Sequence, residues 1–105
     1  MYIIAVDDEI QALEALRQTI KKAAGDCEAA GFVNPLKALE YAGNNQIDVA
    51  FLDIHMDELD GLALAGRLIG LHPRINIIFV TKHPEYMQNA FSLHASGYIL
   101  KPAQP

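Results

Sequence analysis

The chain has no tryptophan and a single cysteine, Cys27, among 105 residues. One thiol cannot form an intrachain disulfide, so no covalent staple holds the fold, and a reducing compartment suits it. Long apolar runs are lacking too. The apolar stretches have strand length, well short of the ~20 residues that a membrane-spanning helix needs. No basic segment or cleavage pattern opens the chain, and acids follow the first apolar run at once. A cytoplasmic protein with no membrane partner is expected. Basic residues are few and scattered, 8 against 13 acids, with a formal charge of -5. That balance speaks against a nucleic-acid surface, which gathers Lys and Arg on one face. What remains, 51% apolar and 20% charged residues, is the composition of one globular domain with one core.

The apolar residues fall into an alternating pattern. Met1 to Val6 is a β-branched strand stopped by Asp7-Asp8-Glu9. From Ile10, residues Leu13, Leu16, Ile20 and Ala24 recur at helical spacing, with Gly25 as C-cap. Cys27 to Val33 reads as the second strand. Asn34 caps a helix that starts with Pro35 and runs through Ala42, ended by Gly43-Asn44-Asn45. The third strand, about Ile47 to Asp53, contains the run Val49-Ala50-Phe51-Leu52, expected to be buried on both faces. A loop from 54 to 61 leads to a helix from Leu62 to about Leu71, weakened by Gly66 and Gly70 at about 1 kcal/mol each relative to Ala. Ile75 to Val80 is the fourth strand, ending at Thr81. Glu85 to about His94 is a helix with Tyr86, Ala90, Phe91 and Leu93 available for burial. Tyr98-Ile99-Leu100 is a short fifth strand ending at Lys101-Pro102. Strict strand–helix alternation calls for a doubly wound α/β fold, a five-stranded parallel sheet with helices on both faces. Such a fold normally has one more helix after its last strand. The reading is therefore a domain over residues 1–105 without its final helix, with apolar surface exposed on the side of the first helix.

Chemistry concentrates where the strands end. Asp7 and Asp8 follow the first strand, Asp53 the third, Thr81 the fourth and Lys101 the fifth. In a parallel sheet these C-terminal ends share one edge, where open α/β sheets bind their ligands. Each residue alone has a plain explanation: helix capping for Asp7-Asp8-Glu9, loop entry for Asp53, a cap for Thr81, a solvated lysine at 101. Four strand ends acquiring acid, acid, hydroxyl and base in this order weaken that explanation. Three neighbouring carboxylates repel one another unless a cation sits among them. Mg²⁺ suits them, because it binds one or two carboxylates together with a phosphate oxygen.

Asp7-Asp8, the stretch FLDIHMDELDG around Asp53, IIFVTKH around Thr81 and GYILKP around Lys101 together resemble the receiver domain of two-component response regulators, over Met1 to Pro102. The resemblance implies the flavodoxin-like strand order 2-1-3-4-5. It further implies that a histidine kinase transfers a phosphoryl group to Asp53, the nucleophile. Mg²⁺ would be held by Asp8 and Asp53, by Asp7 through water, and by the backbone carbonyl of His55. Lys101 would pair with the phosphoryl group and Thr81 would donate its hydroxyl to it. Movement of Thr81 would let Tyr98 turn inward, remodelling the fourth helix and fifth strand as a two-state switch. Such a protein is a signalling switch rather than an enzyme, catalysing only phosphorylation and dephosphorylation of its own Asp53. A homodimer through the fourth helix and fifth strand is a further implication. The string AFSLHASGYILKP, Ala90 to Pro102, resembles receivers joined to LytTR-type DNA-binding domains, which implies transcription control through an output domain not in this chain.

Some positions depart from the family's pattern. Asp57 follows Met56 where family members commonly have Pro, and Lys82 stands where a small residue is usual. His55 and His83 lie at positions that tune phosphoryl lifetime in the family, so an unusual lifetime is expected. His72, His94 and Cys27 read as structural. One rival is a pseudo-receiver, an interaction module of the same fold that is never phosphorylated; Asp57 and Lys82 keep it open, the intact acids, Thr81 and Lys101 oppose it. A flavin carrier needs a phosphate-binding loop after the first strand, where this chain has three acids. An aspartyl-phosphate hydrolase needs a second Asp two residues after the nucleophile, a place held by His55.

Overall fold

A computed structural model describes residues 1–25 and 27–101. Its element order is β1 (Ile3–Val6), α1 (Ile10–Ala24), β2 (Ala29–Phe32), α2 (Pro35–Asn44), β3 (Val49–Leu52), α3 (Gly61–Leu71), β4 (Asn76–Thr81), a 3-10 turn (Pro84–Tyr86), α4 (Met87–Ser92) and β5 (Gly97–Leu100). The five strands are all parallel, in the order β2-β1-β3-β4-β5. The doubly wound α/β architecture and the strand order expected from the sequence are both present. The expected stop at Lys101-Pro102 and the domain's expected end at Pro105 lie partly outside the described residues.

The period of two along each strand sorts the core into two layers. Ile4, Val6, Ala50, Leu52, Ile77 and Phe79 face α2, α3 and α4, where they meet Ala38, Ala42, Leu64, Ala65, Leu68 and Ala90. Ile3 and Ala5 face the other way and pack with Leu13, Ile20 and Ala29. Only α1 covers that second face among the described residues. β3 is consequently not buried equally on both sides: Ala50 and Leu52 are fully enclosed, whereas Val49 and Phe51, on the α1 side, are half-buried. Between α1 and β5 runs an apolar groove of about 670 Å³ lined by Ala15, Leu16, Phe51, Val80, Ile99 and Leu100. Ile99 and Leu100 are 51% and 46% exposed, which is the uncovered surface anticipated on the side of the first helix.

Element ends depart from expectation for local reasons. β1, β2 and β3 are shorter than the runs read as strands, because ladder pairing rather than hydrophobicity sets their ends, whereas β4 is shifted by one residue to Asn76–Thr81 and β5 starts one residue earlier, at Gly97. α2 continues past Gly43 to Asn44, whose side-chain amide donates back to Glu40 O. Asn34 caps α2, its Oδ1 accepting from Leu36 N at 2.8 Å. α3 begins at Gly61, not Leu62, because Asp60 Oδ1 accepts from Ala63 N at 2.8 Å and caps it one residue earlier. Its two interior glycines do not disrupt it: Leu64, Ala65 and Leu68 are fully buried, and packing outweighs propensity. The helix expected from Glu85 to His94 is instead a 3-10 turn followed by the six-residue α4. Ala90 is its buried residue, whereas Phe91 projects outward, 81% exposed, contrary to the expectation that it packs inside. His94 ends the segment in the left-handed region at φ 59°.

Candidate functional site

Ladder hydrogen bonds continue one residue beyond three strand ends. Asp7 N donates to Phe32 O, Asp53 N to Val6 O, and Lys101 N to Thr81 O. Asp7, Asp53 and Lys101 are thus placed by the sheet itself, not by a free loop. Asp7, Asp53 and Thr81 are 1%, 7% and 0% exposed. Burying two carboxylates demands partners, and they share one. Lys101 Nζ lies 2.7 Å from Asp7 Oδ2 and 3.0 Å from Asp53 Oδ2. Their other oxygens accept backbone bonds, Asp7 Oδ1 from Glu9 N at 3.0 Å and Asp53 Oδ1 from Ile54 N at 2.7 Å. Burial pulls the Lys101 ammonium down in pKa, but its bonds to Asp7 and Asp53 outweigh that, and the net direction is upward.

Behind Asp53 the chain makes a tight loop. Glu58 sits at φ 70°, Leu59 N donates to Asp57 O and Gly61 N to Ile54 O. A Cβ on Gly61 would stand 1.9 Å from the Asp53 carbonyl oxygen, so this approach of α3 to the Asp53 backbone requires glycine. Beside the acids lies a cavity of about 430 Å³ whose lining includes Asp8, His55, Asp57, Asp60 and Tyr86. Asp8 is exposed and opens into this cavity. Lys82 is exposed and Asp57 lies on the cavity wall. His55 and His83 stack with ring centroids 4.0 Å apart and 17° between planes. Thr81 Oγ1 accepts from His83 N at 3.3 Å. Tyr98 is half-buried, packs near Phe79, and donates its hydroxyl to the His83 carbonyl. Burial, and after it the charge of Glu85, push the Tyr98 phenol upward in pKa.

The fold therefore gathers Asp7, Asp53 and Lys101 into direct contact, with Thr81, Tyr98, Asp8 and His55 around them. Among the described residues no three acids or histidines already form a metal-holding group. The cation between Asp7 and Asp53 is the lysine ammonium. His72, expected to be structural, hydrogen-bonds through Nε2 to Ala42 O at 2.8 Å. Three contributors escaped the sequence reading: the Asp60 cap, the Gly61 approach to Asp53, and Tyr86, whose hydroxyl is 2.9 Å from His55 Nε2. Asp-Gly before an apolar helical run is a readable start signal for the first two. Tyr86 lies 31 residues from His55, and no local signal joins them.

Residues 3–105 match the family described as the response regulator receiver domain. The chain belongs to that family. It is 36% identical over 104 residues to the transcriptional regulatory protein YpdB of Escherichia coli, a match covering 99% of this chain and 43% of that protein. To the transcriptional regulatory protein LytR of Staphylococcus aureus it is 33% identical over 102 residues, covering 97% and 42%. The receiver thus resembles those of LytR-type transcriptional regulators, and spans less than half the length of these relatives. Among solved structures, the response regulator TrrA of Thermotoga maritima in complex with Mg²⁺-BeF superposes with a TM-score of 0.85 at 28% identity, over 97% of this chain and 88% of that one. Response regulator receivers are signalling domains rather than classical enzymes. No helix among the described residues is long and apolar enough to cross a membrane.

The donors of this receiver suit Mg²⁺ chemically. Asp7 and Asp53 already converge on one cation, Asp8 opens to solvent on the same edge, and all offer hard carboxylate oxygens.

Proposed function

We propose that this receiver accepts a phosphoryl group on Asp53 from a histidine kinase in the cytoplasm and transmits the change through Tyr98, α4 and β5 to an output that controls transcription. The observation that supports it best is the convergence of Lys101 Nζ on Asp7 and Asp53 beside the buried hydroxyl of Thr81. A buried carboxylate backed by an ammonium and a hydroxyl is arranged for the negative charge that a phosphoryl group brings.

In this reading an Asp53 carboxylate oxygen attacks phosphorus in line, and the bond from phosphorus to the kinase imidazole breaks, its electron pair leaving on nitrogen. Lys101 exchanges its bond to Asp53 for one to a phosphoryl oxygen. Thr81 donates its hydroxyl to another, and Tyr98 follows by changing its packing. Asp8, Asp53, the His55 backbone carbonyl and, through water, Asp7 are the groups that would hold Mg²⁺. When bound, that ion neutralises charge between the attacking carboxylate and the phosphoryl oxygens. The exposed residues of α4 and β5, Met87, Phe91 and Ile99, supply apolar area for a homodimer through that face. DNA would be reached through an output domain carried elsewhere in the protein.

The test is intact mass after incubation with acetyl phosphate and Mg²⁺. A gain of one phosphoryl group, lost in Asp53→Asn, is the expected result. No gain in the unaltered chain would favour the pseudo-receiver, which Asp57 on the cavity wall and the exposed Lys82 keep as the second reading.

A further inference from the structure

β2 is the outer strand on one side of the sheet. Successive residues of a strand turn their main-chain N–H and C=O to opposite edges. Phe32 O accepts from Asp7 N on the β1 side, so Ala30 and Phe32 face β1 while Ala29 and Gly31 turn outward. An outward row of this kind is a template on which another chain can pair. Here α1 reaches over it. Arg17 Nε donates to Ala29 O at 3.0 Å, and Arg17 Nη1 lies 3.0 Å from Glu14 Oε1. The stem of Arg17 runs across Gly31, where a Cβ would stand 2.7 Å from Arg17 Cδ and 3.1 Å from its Nε. Just before the strand, a second cation of α1, Lys21, sets its Nζ 3.2 Å from Glu28 Oε1.

We propose that Arg17 is an autoinhibitory contact, which keeps β2 from pairing antiparallel with β2 of a second copy of this chain. The strand complements itself. Turned about a two-fold axis beside Ala30, it sets Ala29 of one copy opposite Gly31 of the other, and the outward groups of these residues can form about four main-chain bonds across the pair. The residues that meet there are alanine and glycine, so no bulky side chain keeps the strands apart. Glu28 falls opposite Phe32, which places no like charges face to face. Val33, 44% exposed at the end of the strand, adds apolar surface to the contact. While Arg17 is in place the Ala29 acceptor is taken and a charged side chain lies along the approach. Each copy must give up its own Arg17 bond before it can pair. One hydrogen bond is worth about two- to tenfold in an equilibrium, so the two copies together face a barrier of about four- to a hundredfold. Nothing in this proposal depends on the chemistry at Asp53.

The test compares the unaltered chain with two variants that lift the guard from opposite sides. Arg17→Met keeps an apolar stem over the strand and removes the donor and the charge. Gly31→Ala keeps the arginine and pushes it off the strand. Sedimentation equilibrium over a concentration series gives the self-association constant, and NMR over the same series follows the amides of Ala29, Phe91 and Ile99. Both variants should associate about four- to a hundredfold more tightly than the unaltered chain. The Ala29 amide should shift with concentration and gain protection from hydrogen exchange, while those of Phe91 and Ile99 stay in place. The double variant should associate little more tightly than either single, because both remove one contact. Two folded variants that associate no more tightly than the unaltered chain overturn the proposal. So does association that shifts Phe91 and Ile99 instead of Ala29, which assigns it to the α4 and β5 face, or association that follows a fallen melting temperature and spreads over all amides, which assigns it to unfolding.

Discussion

Lys101 carries one positive charge and faces two negative ones, both in places from which water is largely excluded. Removing one partner of a buried pair costs more than the pair itself contributes, because the remaining charge is left without compensation. Lys101→Met should therefore destabilise the fold by about 3–5 kcal/mol, measured by urea unfolding at neutral pH. Adding Asp53→Asn to it should recover part of the loss by removing one of the two facing carboxylates. Tyr98 supplies the pH dependence. Burial and the Glu85 charge raise its phenol pKa in the fold. The folded state thus holds this proton more tightly than the unfolded one. The stability this contributes is complete below the ordinary tyrosine pKa, about 10, and is lost as pH rises through the higher folded value. A tyrosinate absorbance titration should show a late-ionising group that is absent in Tyr98→Phe.

At the scale of the element, α3 contrasts glycines that are required with glycines that are tolerated. Gly61 touches the Asp53 backbone, and a methyl group there would meet a carbonyl oxygen at 1.9 Å. Gly61→Ala should cost about 3 kcal/mol and should also slow phosphoryl uptake, since relief can come only by displacing the Asp53 main chain or the start of α3. Gly66 is exposed, and a methyl group there would have no neighbour within 4 Å. Gly66→Ala should raise stability by about 0.5–1 kcal/mol and leave phosphoryl uptake unchanged. Denaturant midpoints and acetyl phosphate incubation read both variants. The element least legible in the sequence was the segment after β4. Its apolar residues permit a single helix, but His83 and Tyr86 are engaged with the loop after Asp53 and with β5. Those tertiary contacts, spaced far along the chain, shape a turn and a short helix that periodicity cannot reveal.

Across the whole molecule the sheet is covered unequally, and that asymmetry can be measured. Leu52→Ala, in the layer under α2 and α3, should cost about 2–5 kcal/mol by leaving a cavity. Val49→Ala, in the half-buried layer under α1, should cost about 1 kcal/mol. The alternation of apolar runs made the architecture readable, because each buried strand needs a helix on each face and each parallel crossover needs a helix to span it. Asp7, Asp8, Asp53, Thr81 and Lys101 were readable for a related reason: a parallel sheet sends every strand's C-terminal end to one edge. The Asp60 cap carried a local signal in the Asp-Gly pair before an apolar run, whereas the close approach of Gly61 to the Asp53 backbone and the His55–Tyr86 contact depend on how distant or looping segments meet. The bridge closed by Lys101 also has a consequence for biosynthesis. It joins residues 94 and 48 positions apart, so a ribosome finishes β1 and β3 long before it supplies their shared counterion. A polypeptide released early would carry two unneutralised acids at its centre, and signalling competence and a settled fold would arrive together, with the fifth strand.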